Sequence, residues 1–259
     1  MSYVFNIPTN SNIKLSQVME KVKMDTKLRT YWRCANVMAI DRMGYTDHGP
    51  THVKIVANLA LKLLRILVSN KVEPNIVKDY KMKNEDAEVV VVLGSILHDL
   101  GMTVTRNDHE KYGVLLSREF LEKFLQQTYS EEERAILTSE ILHAVVCHER
   151  PNTPLTLEAG IVGIADALDM EAGRARIPFK SGKIDIHAVS ALSIEKVEIS
   201  EKGKKPITIR IKMTNSAGIF QIDELLKPRI ENSGLQEYFH VVAEITGERE
   251  TRIIDRFEI

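Results

Sequence analysis

The sequence predicts a mainly α-helical bundle followed by a small α+β module of order β-β-α-β-β. Two patterns set that division. From about residue 15 to about 180, apolar side chains recur at three-to-four spacing, the period of a helix face packed on a core. After residues 178–183, a short polar and turn-rich stretch that reads as a linker, apolar and polar residues alternate with the period of a strand. The expected units are 1–180 and 184–259. The 259 residues are 44% hydrophobic and 27% charged, an ordinary globular composition that excludes a disordered or low-complexity chain.

The first helical segment, 17–43, carries Met24, Leu28, Tyr31, Trp32, Ala35, Val37 and Met38 on its apolar face. A second helix starts at Pro50, because proline suits a first turn whose N–H groups lack partners, with Asp47 as a capping candidate. It turns Val53, Val56, Ala57, Ala60, Leu63, Leu64 and Leu67 inward. Four more helices fit 85–99, 108–127, 130–147 and 156–169; Gly101, suited to a left-handed turn, stops the first, and Pro151 and Pro154 stop the third. The longest apolar run, Val89 to Leu97, is about half of a bilayer span and reads as a buried core helix. In the second unit, 194–199 and 207–213 read as strands joined by a hairpin turn at 202–206. A helix at 221–231 and strands at 238–245 and 252–259 complete it.

Lys and Arg number 35 against 36 Asp and Glu, so no general field draws in a nucleic-acid polymer or an anionic membrane. A phosphorylated partner would have to be held by a local site. Two cysteines, Cys34 and Cys147, exclude a disulfide framework and a cysteine-based zinc site. The first residues, Met1 to Asn6, lack the basic and apolar regions of a signal peptide, and a cytoplasmic location is expected.

Chemistry-bearing residues concentrate in the helical part, where six of the eight histidines fall within residues 48–148. Leu97-His98-Asp99-Leu100-Gly101 puts an imidazole and a carboxylate together at the end of a strongly apolar helix. The negative end of the helix dipole favours a cation there, and both side chains ligate Zn, Mn, Fe or Ni. A plain helix cap, with His98 bonded to the last carbonyls, fits the same five residues. His52, in the first turn of an apolar helix, is a ligand or a core histidine with a satisfied hydrogen bond. His48 precedes Pro50 and so belongs to the incoming loop, as a secondary ligand or donor. His109 opens a helix, as a ligand or as a surface cap. His143 and His148 differ by about 140° around a helix, so both meet one site only if the last turn unwinds; His148, at the helix end, is the better placed. Asp166 interrupts a run of small and apolar residues on the buried face, where a carboxylate is expensive unless paired or metal-bound. Asp169, near the helix end, is expected to be exposed.

In chain order these residues are His52, His98-Asp99, His109, His148 and Asp166, and the order resembles the HD superfamily of metal-dependent phosphohydrolases, a helical-bundle family with the pattern H…HD…D. The resemblance spans residues 48–176 and is carried by 47–56, 96–102 and 162–169. The wider arrangement is similar to the two-metal branch typified by the HD-GYP enzymes. His109 opens the next helix, His148-Glu149 closes the following one, and Asp169, Arg174 and Arg176 follow Asp166. Departures limit the likeness. No Gly-Tyr-Pro loop follows His148, so cyclic-di-GMP specificity is not implied. The lysine three residues after the HD aspartate is Met102 here, and the adjacent His-His pair is Cys147-His148, with His143 a candidate to fill the gap.

The resemblance implies that His52, His98, Asp99 and Asp166 hold one divalent transition metal ion (Mn, Fe, Zn, Ni or Co). It implies a second ion on Asp99, His109 and His148, with Asp99 catalytic and a metal-activated water attacking phosphorus. Arg150, Arg174 and Arg176 are candidates to grip the substrate phosphate, or are solvated surface charge. The substrate is expected to be a small phosphate ester such as a nucleotide, with no nucleic-acid polymer and no membrane as partner. Strand edges in the second unit suit a homodimer. The competing readings are a non-catalytic metal- or nucleotide-binding regulator, and a protein whose histidines are all structural.

Overall fold

In a computed structural model, residues 5–9, 12–172, 186–201 and 203–246 are described. The helices run α1 (Ile13–Met24), α2 (Thr26–Asn36, continued by the π-helical turn Val37–Arg42), α3 (Pro50–Ser69), α4 (Asn75–Tyr80), α5 (Asn84–Leu97), α6 (His109–Leu125), α7 (Glu131–Cys147), α8 (Leu157–Leu168) and α9 (Ile186–Leu192). There follow β1 (Ile194–Ser200), β2 (Ile207–Met213), a helix α10 built from Ile219–Gln221, the π-helical Ile222–Leu226 and Lys227–Asn232, and β3 (Phe239–Ile245).

Helix α5 is the axis of the bundle. Its residues from Val89 to Leu97 are all buried, as a helix apolar on every side must be, and it packs on α3, α7 and α8. Arg65 of α3 grips Glu88 with two parallel bonds of 2.7 and 3.0 Å. The Trp32 indole N–H of α2 donates to the Ile96 carbonyl at 3.1 Å, fixing the last turn of α5 from the side. Burying α5 in this way carries the His98 and Asp99 that follow it into the interior. The helix starts expected at 130 and 156 are observed as side-chain caps: Ser130 and Glu133 satisfy each other's backbone N–H, and Thr156 accepts from Ala159. Pro50 opens α3, and Asp47 accepts from the Gly49 and His52 N–H groups at 2.8 and 3.4 Å.

Several expectations are corrected. The single segment 17–43 is two helices, because Asp25 is extended (ψ 108°) and its carboxylate accepts from Leu28 N–H at 2.7 Å while pairing with Lys123. Burial opposes its ionisation, but these partners outweigh it and hold the carboxyl below its ordinary value. Gly101 is not left-handed. It lies in a 3-10 turn, Leu100–Thr103, where a Cβ would sit 1.8 Å from the His109 carbonyl oxygen and 2.7 Å from Gly113 N. Its role is close backbone approach, so the turn after Asp99 packs directly on the start of α6. Helix α4 arises from a distant partner: the buried Glu158 accepts from the Asn75 and Ile76 N–H groups at 3.2 and 3.0 Å.

The described strands form one sheet in the order β1-β2-β3. β1 and β2 are antiparallel, as the hairpin reading expects. β3 runs parallel to β2, which requires a crossover, and α10 lies in it. Ile207, Ile209, Ile211 and Met213 of β2 belong to the same buried cluster as the helices. The expected strand 252–259 and linker 178–183 lie outside the described residues. No described helix is long and apolar enough to cross a membrane.

Two glycine substitutions separate the effects of crowding and backbone strain. Gly101→Ala is expected to destabilise the protein by about 3 kcal/mol, because a backbone oxygen occupies the methyl's place. Gly234→Ala, with open space but φ +72°, should cost about 1 kcal/mol. Urea unfolding of both variants checks the order and the gap.

Candidate metal centre

Five helix ends converge on one buried point. His52 comes from the first turn of α3, His98 and Asp99 follow α5, His109 opens α6, His148 closes α7, and Asp166 and Asp169 end α8. All of these except Asp166 are buried, and the Asp166 side chain is 17% exposed.

The ring orientations follow from the Nδ1 partners. Nδ1–H donates to Asp169 Oδ2 at 2.6 Å in His52, to the Ser95 carbonyl at 2.7 Å in His98, and to the Val145 carbonyl at 2.6 Å in His148. In His109 the Nδ1 atom lies between the Arg106 carbonyl at 3.0 Å and the Arg106 guanidinium at 2.9 Å. Each bond leaves Nε2 as the atom aimed inward. The Nε2 atoms meet in pairs, His52 with His98 at 3.1 Å and His109 with His148 at 3.0 Å. Two ring nitrogens whose protons sit on Nδ1 repel at that distance unless a cation lies with them.

The carboxylates complete two sets. His52 Nε2 lies 3.3 Å from Asp99 Oδ2 and 3.2 Å from Asp166 Oδ1; His98 Nε2 lies 3.2 and 3.7 Å from the same oxygens. The other oxygen, Asp99 Oδ1, is 3.4 Å from His109 Nε2 and 3.8 Å from His148 Nε2. Ligands about 2.1 Å from one ion stand about 3.0 Å apart in an octahedron and about 3.4 Å apart in a tetrahedron, so both sets fit the spacing a divalent ion imposes. The buried Asp99 Oδ2 has no hydrogen-bond partner among the described residues, which a ligand oxygen explains.

Electrostatics point the same way. Burial opposes charge on Asp99 and Asp166, but surrounding histidines outweigh it and hold both carboxyls well below the usual range. Burial also works against charge on His98, yet Asp99 and Asp166 push its pKa up to about 9. His148 goes the other way: burial, then His98 and His109, hold it well below its ordinary value, so its lone pair stays available. A buried donor set this rich in ionised carboxylate needs positive charge beside it, which a protonated His98 or a bound cation supplies.

The structure brings together His52, His98, Asp99, His109, His148 and Asp166. His143 stands apart: its Nε2 accepts from the Leu155 N–H at 3.0 Å and its ring lies against Cys147, so α7 does not unwind to present both histidines. Arg150 is exposed, with Nη2 3.5 Å from the Glu224 carbonyl. Arg174 and Arg176 lie outside the described residues. His109 is buried and is no surface cap. Asp169, expected to be exposed, is 7% exposed and orients His52. His48 stays in the loop, Nδ1 bonded to the Thr46 carbonyl and its ring 5.8 Å from that of His52. Sequence reasoning misses Arg106, whose guanidinium lies 2.9 Å from His109 Nδ1 with no carboxylate partner among the described residues. Its signal is a cation three residues before a candidate ligand histidine.

Comparison with known proteins agrees with the geometry. The family model described as HD domain matches residues 50–171. An uncharacterized protein of Methanocaldococcus jannaschii is 43% identical over 232 residues, 90% of this chain and 90% of that protein.

Asp169→Asn is expected to weaken divalent-metal binding by about 10- to 100-fold while leaving the helical circular dichroism unchanged, because it loosens His52 without removing a ligand. Titration of metal-free protein with Mn(II) checks this.

Proposed function

The chain belongs to the HD-domain family, and on that premise we propose that it is a metal-dependent phosphohydrolase acting on a small phosphate ester. The observation that carries this reading is the division of Asp99: one carboxylate oxygen lies among His52, His98 and Asp166, the other beside His109 and His148. His52, His98, Asp99 and Asp166 would hold one ion, and Asp99, His109 and His148 a second. Divalent ions so held supply Lewis acidity, lowering the pKa of water and neutralising charge on phosphoryl oxygens.

The protein's own groups do the positioning. Asp169, Ser95, Arg106 and Val145 lock the four imidazoles through Nδ1, so the donor set is rigid before substrate arrives. Asp99 stays ionised because the histidines around it stabilise the carboxylate, and it ties the two sets at a fixed spacing. Arg106 is half-buried beside His109, and its guanidinium suits two parallel bonds to phosphoryl oxygens. Recognition is local, as the near-zero net charge requires. A small ester, with nucleotides the first class to screen, suits this arrangement better than a polymer. Pairing of the second unit's strand edges between two copies, giving a homodimer, belongs to the same proposal.

Purified protein loaded with Mn(II) is expected to release phosphate from members of a panel of nucleotides, cyclic nucleotides and phosphomonoesters. Asp99→Asn should abolish release with helical content kept. Arg106→Ala should raise KM more than it lowers kcat, as loss of a ground-state phosphate contact does. No release across the panel by metal-loaded protein would contradict the hydrolase reading and favour a binding role.

A further inference from the structure

The second donor set is short of protein ligands. Asp99 Oδ1, His109 and His148 supply three donors, while the neighbouring Cys147 turns its sulfur to the Thr153 carbonyl at 3.4 Å and His143 is occupied by Leu155. The residue after His148 does face the set. One ligand atom each from His109, His148 and Glu149 lie within 4.8 Å of one another, close enough to share an ion.

Glu149 does not stand alone. Its Oε2 accepts from Arg229 Nη2 at 3.1 Å, and no described group bonds Oε1. The other arm of the same guanidinium donates to the His148 carbonyl. Arg229 belongs to α10, in the crossover of the sheet, and its side chain is 13% exposed. Three residues on, Asn232 Nδ2 donates to the Asn152 carbonyl at 3.0 Å and its Oδ1 accepts from Thr153 at 3.3 Å. The C-terminal part of the chain thus fastens the segment that leaves the metal cluster, and one arginine holds both the backbone of a ligand histidine and the adjacent carboxylate.

We propose that Glu149 is a protein ligand of the second ion, and that Arg229 is the positioning residue that presents it. This rests on the two-ion reading above. A half-buried ion pair that merely pins a loop would have the same distances but no effect on metal affinity. Holding one carboxylate oxygen on a fixed guanidinium leaves the other available as a ligand, which is how outer partners orient metal-binding carboxylates. The sheet-bearing part of the chain is thereby coupled to the metal site through one side chain.

The test is titration of metal-free protein with Mn(II) by calorimetry, with electron paramagnetic resonance to detect an exchange-coupled pair. Wild type should bind two ions. Glu149→Gln should keep the first ion and lose the coupled-pair signal, with the second site weakened by about 100-fold or more; Arg229→Gln should weaken the second site by about 10-fold. The double variant should be weaker than Glu149→Gln by less than the loss that Arg229→Gln causes alone, because Arg229 acts mainly through Glu149 and otherwise holds only the His148 carbonyl. Glu149→Asp, which keeps the carboxylate, should restore part of the second site and serves if the glutamine variant loses helical circular dichroism. Two ions bound by Glu149→Gln at wild-type affinity, additive losses in the double variant, or a wild-type titration that ends at one ion would each overturn the proposal. Wild type that binds two ions and releases no phosphate overturns the hydrolase reading and leaves this one standing.

Discussion

The rest of the structure depends on one electrostatic constraint: four imidazoles and two ionised carboxylates are pressed together in a largely buried cluster, open to solvent only at Asp166. Nε2 atoms 3.0 and 3.1 Å apart cannot both be bare lone pairs without cost, and Asp99 and Asp166 cannot both stay ionised in that setting without positive charge. In the absence of metal, His98 carries part of that charge, held there by the two aspartates. A divalent ion answers the same demand and also satisfies the orphaned oxygen of Asp99.

The bundle meets this constraint by using helix ends. Each candidate ligand lies at or beside a helix end, and the C-terminal ends of α5 and α7 leave carbonyls without helical partners. The carbonyls of Ser95, Arg106 and Val145 become the acceptors that fix His98, His109 and His148. Two readings of the residues around His98 are thus realised together, since its ring both caps a helix and aims Nε2 at the site. His52 likewise is a core histidine with a satisfied hydrogen bond and a candidate ligand. Burial of α5, close approach at Gly101 and the caps at Ser130 and Thr156 set where those helix ends stand.

This division explains how much is legible in the sequence. Helix periods, caps and the positions of His52, His98, Asp99 and Asp166 can be read because each depends on near neighbours in the chain. Asp169 cannot be assigned locally: its orientation is set by a histidine 117 residues away. Helix α4 has no local signal because its cap is Glu158. Asp25 divides a helical period that continues smoothly through it, since its carboxylate finds Leu28 and Lys123. Periodicity rightly warns that His143 and His148 diverge around a helix, but only the fold shows which side meets the cluster. The parallel pairing of β3 with β2 is equally invisible in an alternation pattern that fits either direction.

The sheet-bearing part is more than an appendage in this account, since β2 shares the bundle's core and α10 fastens the segment after His148. In the proposed two-ion site, Asp99 would offer one oxygen to each donor set. Anomalous diffraction from crystals of the Mn(II)-loaded protein tests it most directly. Two peaks are expected, one bounded by His52, His98 and Asp166 and one beside His109 and His148, with Asp99 between them. Metal-loaded crystals with no anomalous peak inside the cluster would contradict it.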